Sequence, residues 1–226
     1  MSTRAATTRE QAVLLPRFGV SERLAHWLLA AAFASMLASG AFMGGIGPLD
    51  HHVLLLVHLG SAVVLIVGLA ALLAARLSRR PLVQAAHDLG ALSATDRRWL
   101  RLAPRAYLVG GKLPPAGRFN AGQKVNARLV LLVMLALYVS GVASLHRYTS
   151  IVDPIRFLGG FHGLAAGAAT VLVAGHVYLA VLHPATRHAL RGITLGTVRR
   201  DWAEEHHADW VATLDANREA GARSEY

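Results

Sequence analysis

Four of the twelve histidines lie inside long apolar segments of this 226-residue chain, where an ionisable side chain is costly and usually serves a function. They are His26, His58, His162 and His176. His162 and His176 are 14 positions apart, which in an α-helix is about 21 Å along the axis and about 40° short of four full turns. We therefore expect these two side chains on one face of one helix, near its opposite ends.

Four apolar segments dominate the sequence, and each is close to the length of about 20 residues that crosses a bilayer as a helix. They cover residues 24–43, 53–75, 127–145 and 157–182. Their hydrophobicity is continuous rather than alternating, which favours helices over a β-barrel. Charged residues make up only 16% of the chain and the mean hydropathy is +0.41. We predict an all-α, integral membrane four-helix bundle that forms a single domain.

The basic residues predict the orientation of this bundle. All but two of the 23 Lys and Arg residues lie in the terminal segments, in the 76–126 loop or at Arg128. The exceptions are Arg147 and Arg156, between the third and fourth apolar segments. By the positive-inside rule, both termini and the long loop are expected in the cytoplasm. The net charge of +10 then needs no nucleic-acid partner to explain it.

With this orientation, the four histidines form two pairs at matched depths. His58 and His162 each lie near the outer start of an inward-running helix, so they are expected at the outer face. His26 lies near the inner start of the first helix and His176 near the inner end of the fourth. Two neutral imidazoles that face each other across a helix bundle are the axial ligands of a b-type haem. The sequence therefore predicts two haems, one above the other across the membrane.

Histidines in membrane spans can also serve roles that involve no haem. A histidine in a span can be a hydrogen-bonded packing residue, although four at matched depths are harder to account for in this way. A zinc or di-iron site would need carboxylates, and the apolar segments contain no Asp or Glu. The chain has no cysteine, which excludes iron–sulfur clusters, thiolate zinc sites and covalently attached haem.

Small residues recur at the outer ends of two spans. Gly40 follows His26 by 14 positions, and the Ser39-Gly40 pair is echoed by Ser140-Gly141 in the third span. A glycine can let a porphyrin edge approach the backbone closely. Ordinary packing of helices through small residues accounts for the same pattern equally well.

The remaining polar segments carry weaker signals. In the 76–126 loop, residues 88–102 are consistent with a short interfacial helix, and four prolines interrupt the rest (Pro81, Pro104, Pro114 and Pro115). Residues 197–214 form an amphipathic helical pattern that contains Trp202 and Trp210, which suits an interfacial anchor or a docking surface. The last dozen residues are expected to be disordered.

Several motifs together resemble the gamma subunit of membrane-bound formate dehydrogenase. The resemblance covers nearly the whole chain. It rests on Arg23-x-x-His26-Trp27, on Val57-His58, on Phe119-Asn120-Ala121-Gly122-Gln123-Lys124, on His162 with Gly175-His176-Val177-Tyr178, and on the tail from Leu190-Arg191-Gly192 to His206-His207. The Asn-Ala-Gly-Gln-Lys stretch is the most specific of these. The His-Trp opening is shared with the cytochromes b of hydrogenases and thiosulfate reductases.

This resemblance implies a four-helix, two-haem cytochrome b in the bacterial cytoplasmic (inner) membrane. Such a subunit takes electrons from an iron–sulfur beta subunit, which receives them from a molybdopterin alpha subunit, and passes them to menaquinone or ubiquinone. The implied iron ligands are His58 and His162 for the outer haem and His26 and His176 for the inner haem. The implied quinone site comprises Asn120, Gly122 and Gln123.

The quinone motif is chemically reasonable, because a side-chain amide donates hydrogen bonds to carbonyl oxygens and glycine exposes its backbone N–H. The same residues also suit a helix start with Asn120 as the N-cap, and the two roles are compatible. Two alternative functions remain: a cytochrome b of a hydrogenase or sulfur-compound reductase, and a haem-free membrane anchor or transporter. In every case we expect no formate-oxidising site in this chain, since it lacks cysteine.

Overall fold

The computed structural model describes residues 13–46, 50–147 and 156–224. Four of its helices are long and apolar enough to cross a membrane, over Val20–Gly44, His51–Ala74, Ala121–Leu145 and Gly160–Leu182. These segments confirm the predicted membrane-spanning helices. The helices themselves are α1 (Val20–Ala41), α2 (His51–Ala74), α5 (Ala121–Arg147) and α6 (Arg156–Val177). Wider π-helical turns prolong α1 over Phe42–Ile46 and α6 over Tyr178–Leu182.

The four long helices pack as two antiparallel pairs, α1 with α2 and α5 with α6. In the first pair, Ser35 bonds Ser61 and Leu28 lies against Gly68. A later residue of α1 therefore contacts an earlier residue of α2, which shows that the two helices are antiparallel. Among the described residues, backbone contacts between the two pairs are few. An apolar cleft lies between α1 and α6, lined among others by Phe33 of α1 and Val173 of α6.

The connection between α2 and α5 contains two helices, α3 (Arg76–Gly90) and α4 (Ala94–Val109). The expected single short helix at 88–102 is wrong. Ser93 accepts the backbone N–H of Asp96, and Asp96 accepts the backbone N–H of Ser93, so this capping box starts α4 at Ala94. Pro81 and Pro104 lie inside the helices, although each proline removes a backbone hydrogen bond and strains the preceding turn. Both helices have amphipathic patterns, so packing of the apolar face can offset this cost.

A small polar cap covers the end of the bundle at which α1 and α5 begin. It contains β1 (Leu14–Pro16), which pairs antiparallel with β2 (Thr197–Arg199), and three helices, α7 (Leu190–Leu195), α8 (Arg200–His206) and α9 (Ala208–Ser224). We call this end of the bundle the cap end and the opposite end the far end. Leu15 and Val198 are fully buried in the cap and pack with Trp210.

The cap corrects three expectations for the C-terminal segment that begins at Thr197. Its first three residues form a strand rather than a helix, because Val198 alternates inward and pairs with Leu15 from the other end of the chain. Trp210 is 8% exposed and belongs to the core of the cap, so it is neither an interfacial anchor nor an exposed docking residue. The final residues are helical up to Ser224, where disorder was expected.

A buried Arg17–His207 contact joins β1 to the C-terminal helices. Arg17 Nη2 donates to His207 Nε2 at 2.9 Å, and His207 Nδ1 donates to the Gly117 carbonyl at 2.8 Å. Burial, and then the charge of Arg17, lower the pKa of His207 to about 3. Burial, and then the neighbouring Arg118 charge, lower the pKa of Arg17 to about 9. At neutral pH the contact is therefore between a guanidinium cation and a neutral imidazole.

Candidate functional site

The structure brings the four span histidines together as two facing pairs. The ring centroids of His26 and His176 are 6.2 Å apart, and those of His58 and His162 are also 6.2 Å apart. Each pair joins one helix of the α1–α2 hairpin to α6. These are the two pairs that the sequence predicts.

The pairs lie near opposite ends of the bundle. His26 is in the second turn of α1 and His176 is at the end of α6, so they form the cap-end pair. His58 lies near the start of α2, and His162 lies near the start of α6. These two residues form the far-end pair. The two histidines of α6 are 14 positions apart, which corresponds to about 21 Å along the axis.

The separation within each pair fits two imidazoles bound to opposite sides of one metal ion. An imidazole nitrogen bonds a metal at about 2 Å and lies roughly 1 Å in front of its ring centroid, so two such rings have centroids about 6 Å apart. Among the described residues, no group of three or more His, Cys, Asp or Glu could hold a metal ion. Two protein ligands suit an iron that brings its own equatorial ligands, as haem iron does.

Two serines hold the far-end pair from the neighbouring helices. Ser39 Oγ of α1 lies 3.1 Å from His58 Nδ1, and Ser140 Oγ of α5 lies 2.9 Å from His162 Nδ1. The sequence singled out these serines only as small residues beside glycines. Their position at the depth of a span histidine is the signal that could have identified them as its partners.

The glycines that follow these serines accommodate the imidazole rings. A Cβ at Gly40 would lie 3.5 Å from Cε1 of His58, and a Cβ at Gly141 would lie 3.3 Å from Cε1 of His162. A Cβ at Gly141 would therefore crowd the His162 ring, whereas a Cβ at Gly40 would make ordinary van der Waals contact with the His58 ring. In both cases the side chain nearest to the glycine is a histidine ring.

The cap-end pair has a different environment. His26 Nδ1 is buried and has no hydrogen-bond partner among the described residues. Next to it, Trp27 Nε1 donates to the Ile193 carbonyl at 3.1 Å and Arg23 Nη1 donates to the Thr194 carbonyl at 2.8 Å. The first two turns of α1 are thus fixed to α7 of the cap.

The three residues of the predicted quinone motif lie together at the cap-end start of α5. The Asn120 Oδ1 accepts the backbone N–H of Gln123 at 2.9 Å, and the Gln123 Oε1 accepts the backbone N–H of Asn120 at 3.0 Å. Both side chains therefore cap the helix through their oxygens. A Cβ at Gly122 would lie 3.2 Å from the ring of Trp99, so this glycine allows α4 to pack closely on α5.

A series of aromatic rings extends from this motif to the end of α6, and the sequence pattern did not predict it. Trp99 contacts Tyr107 with centroids 6.4 Å apart, Tyr107 contacts His183 at 5.9 Å, and His183 contacts Tyr178 at 6.0 Å. The capping box at Ser93 and Asp96 would have placed Trp99 and Tyr107 on one helix. The expected helix at 88–102 ended before Tyr107.

Sequence comparison shows that this chain is similar to bacterial cytochrome b556 subunits. The chain is 29% identical over 121 residues to the cytochrome b556(fdo) subunit of formate dehydrogenase from Escherichia coli K12. The matched region covers 52% of this chain and 56% of that protein. It is 27% identical over 107 residues to the cytochrome b556(Fdn) subunit of the nitrate-inducible formate dehydrogenase of the same strain, covering 46% of this chain and 48% of that protein. A formate dehydrogenase cytochrome b556 subunit from Haemophilus influenzae is 32% identical over 97 residues, covering 42% of this chain and 40% of that protein.

The chain spans about half the length of the curated relatives it matches. A broader match is to the family described as prokaryotic cytochrome b561, over residues 17–196. This range includes all four long helices, both histidine pairs and the residues from Asn120 to Gln123. The chain therefore belongs to the prokaryotic cytochrome b561 family.

Proposed function

We propose that this protein is the membrane subunit of a respiratory formate dehydrogenase and that it passes electrons through two haems b to a quinone. The observation that carries the proposal is the presence of two histidine pairs with the same 6.2 Å separation, one toward each end of the bundle. Membership of a cytochrome b family supports haem b as the cofactor. The names of the relatives support formate dehydrogenase as the complex.

Each histidine pair would hold one haem b through its two imidazoles, and bound haem b supplies a reversible one-electron change at its iron. The cleft between α1 and α6 has apolar walls that include Phe33 and Val173. Helices α1, α2 and α6 carry the ligands and hold them at fixed depths. Helix α5 supports the far-end pair through Ser140.

Quinone would bind at the cap end, beside the start of α5. The Asn120 and Gln123 oxygens are used in the helix cap, so the two side-chain NH₂ groups are the donors that remain for a quinone carbonyl. The rings of Trp99 and Tyr107 offer an adjacent aromatic surface for a quinone ring.

The electron donor would bind at the far end. This assignment follows from the positive-inside rule, which puts the basic cap end in the cytoplasm. An iron–sulfur subunit, itself supplied by a molybdopterin subunit, would deliver electrons on the outer face of the bacterial inner membrane. Each electron that moves inward against the membrane potential stores about 2.3 kcal/mol per 100 mV. Proton uptake by the quinone from the cytoplasm would add to the same gradient.

A variant of Asn120 that separates helix capping from quinone binding tests this proposal. Asn120→Ser keeps an oxygen for the N-cap but removes the amide NH₂, whereas Asn120→Ala removes both. In the purified complex, both variants should keep two haems that formate reduces, and both should lose reoxidation by added menaquinone analogue. Only Asn120→Ala should also lower helix stability, by about 1 kcal/mol.

The control is Asp50→Ser, at the N-cap of α2, where a similar cap lies outside the proposed quinone site. Its haems should be reoxidised at the normal rate. Normal reoxidation in Asn120→Ser would refute the quinone site. Co-purification of the tagged chain without any formate-oxidising partner would refute the assignment to formate dehydrogenase.

A further inference from the structure

We infer that Ser39 and Ser140 are positioning residues that set the protonation geometry of the far-end histidines and lower the reduction potential of the far-end haem. This inference rests on the proposed function, because it concerns residues that would hold haem iron. The far-end histidines belong to α2 and α6, and the inference adds Ser39 of α1 and Ser140 of α5 to their site.

The hydrogen-bond geometry fixes which ring nitrogen carries the proton. Ser39 Oγ lies 2.7 Å from the carbonyl oxygen of Ser35, one turn earlier in α1. A carbonyl oxygen has no proton to give, and a hydroxyl has only one hydrogen, so Ser39 donates to Ser35. The contact between Ser39 Oγ and His58 Nδ1 can then be a hydrogen bond only if Nδ1–H donates and the hydroxyl accepts.

The same logic applies in α5 and α6. Ser140 Oγ donates to the carbonyl oxygen of Ala136 at 2.6 Å, so it accepts from His162 Nδ1–H at 2.9 Å. In both histidines Nε2 is left with its lone pair. This is the tautomer in which Nε2 can bind iron, and a hydrogen bond from the other ring N–H also raises ligand basicity.

Both serines are buried. Ser39 is 3% exposed and Ser140 is 1% exposed, and the Met36 carbonyl is a second hydrogen-bond acceptor for the His58 ring. A buried N–H that loses its hydrogen-bond partner destabilises the folded site. Gly141 helps the His162 ring reach Ser140, because a Cβ there would lie 3.3 Å from the ring, which is tighter than an ordinary contact.

The two ends of the bundle differ in this respect. His26 Nδ1 of the cap-end pair has no hydrogen-bond partner among the described residues. A more basic imidazole stabilises ferric over ferrous iron, so the far-end haem should have the lower potential of the two. Electrons that enter at the far end would then move downhill to the cap end, which is the direction of the proposed function.

A redox titration of the purified complex with Ser39→Ala and Ser140→Ala tests the inference. Each variant should move the potential of the far-end haem to more positive values and leave the cap-end haem unchanged. If the loss of one hydrogen bond weakens ferric relative to ferrous ligation tenfold, the shift is about 59 mV. The His26→Ala variant, expected to keep only the far-end haem, identifies which transition belongs to which site.

Two further variants separate ligand positioning from general packing. Ser35→Ala is the matched control, since Ser35 lies one turn away in α1 and bonds Ser61 rather than a histidine. It should leave both potentials unchanged. Ser39→Thr keeps the hydroxyl and should restore the wild-type potential. Selective loss of the far-end haem in the alanine variants, with recovery in Ser39→Thr, would also support the inference.

The outcomes distinguish this inference from the function on which it rests. Wild-type protein that binds fewer than two haems would contradict the proposed function itself. Two bound haems whose potentials do not respond to Ser39→Ala or Ser140→Ala would overturn only the role of the serines. An equal shift of both haems, or a shift in Ser35→Ala, would overturn it as well.

Discussion

At the scale of single residues, the partner of Nδ1 decides what each histidine can do. His207 Nδ1 donates to the Gly117 carbonyl, which leaves Nε2 to accept a hydrogen bond from Arg17. His58 and His162 donate from Nδ1 to serine hydroxyls, which leaves the Nε2 lone pair of each ring free to bind a metal. The same tautomer therefore serves a structural contact in the cap and a candidate metal site in the bundle.

His207 predicts a specific dependence of cap stability on pH. Its folded pKa of about 3 lies below the unfolded value of about 6.5, so the unfolded state takes up a proton first as the pH falls. The stabilising contribution is complete above pH 6.5 and is lost progressively between about pH 6.5 and pH 3. We expect acid to open the cap, and the fluorescence of Trp202 and Trp210 around His207 should report it.

The comparison variant for this prediction is His207→Gln. A glutamine side chain can accept from Arg17 and donate to Gly117 but does not titrate. Its stability should change less than that of the wild type between pH 6.5 and pH 4.5. Identical slopes in that range would show that His207 is not the responsible group.

Sequence patterns predicted the histidine pairs but not their supports. Helical periodicity and the apolar pattern are enough to match His58 with His162 and His26 with His176. The roles of Ser39 and Ser140 depend on the register between neighbouring helices, which no single segment encodes. Whether the pairs hold haem iron stays a prediction.

At the scale of elements, glycine explains how the cap docks on the bundle. Gly196 ends α7 with a φ of +85°, and its N–H bonds the Gly192 carbonyl. A Cβ there would lie 2.9 Å from the backbone oxygen of Phe18. The turn therefore needs a residue that is both small and tolerant of positive φ.

Gly196→Ala should destabilise the attachment of the cap to α1. The left-handed conformation alone costs about 1–2 kcal/mol in a non-glycine residue, and the backbone contact adds to this. Thermal unfolding in detergent, followed by tryptophan fluorescence, should show a lower transition temperature. Gly90→Ala, where a Cβ meets nothing within 4 Å, serves as the control and should change little. Equal effects of the two substitutions would contradict the close approach at Gly196.

The long apolar helices were predictable because each one is formed by a single continuous apolar stretch of the sequence. The β1–β2 ribbon was not, because Leu15 and Val198 are far apart in sequence and each strand has only three residues. The α3–α4 connection was missed for another reason. Its prolines predict helix breaks, but the capping box at Ser93 and Asp96 is the local signal that agrees with the structure.

At the scale of the whole molecule, charge defines the two ends. Among the described residues, the cap end carries the basic residues of α3, α4 and the C-terminal helices, and the far end carries few. We predict that the cap end is cytoplasmic, in agreement with the positive-inside rule. The chain lacks cysteine, so single introduced cysteines give an unambiguous labelling experiment.

Ala91→Cys, between α3 and α4, and His51→Cys, at the far-end start of α2, are both exposed positions for this test. In intact cells, a membrane-impermeant maleimide should label His51→Cys and spare Ala91→Cys. Inside-out vesicles should give the reverse. Labelling of Ala91→Cys in intact cells would invert the proposed direction of electron transfer.

Haem stoichiometry in single-histidine variants tests the central claim most directly. The purified wild-type chain should bind two haems b that acid acetone extracts completely. His58→Ala and His162→Ala should each lose one haem, and the same one, while His26→Ala and His176→Ala should lose the other. His52→Ala, an exposed histidine on the same helix as His58, should keep both. A wild-type content of zero or one haem, or loss of the same haem from His26→Ala and His58→Ala, would contradict the account.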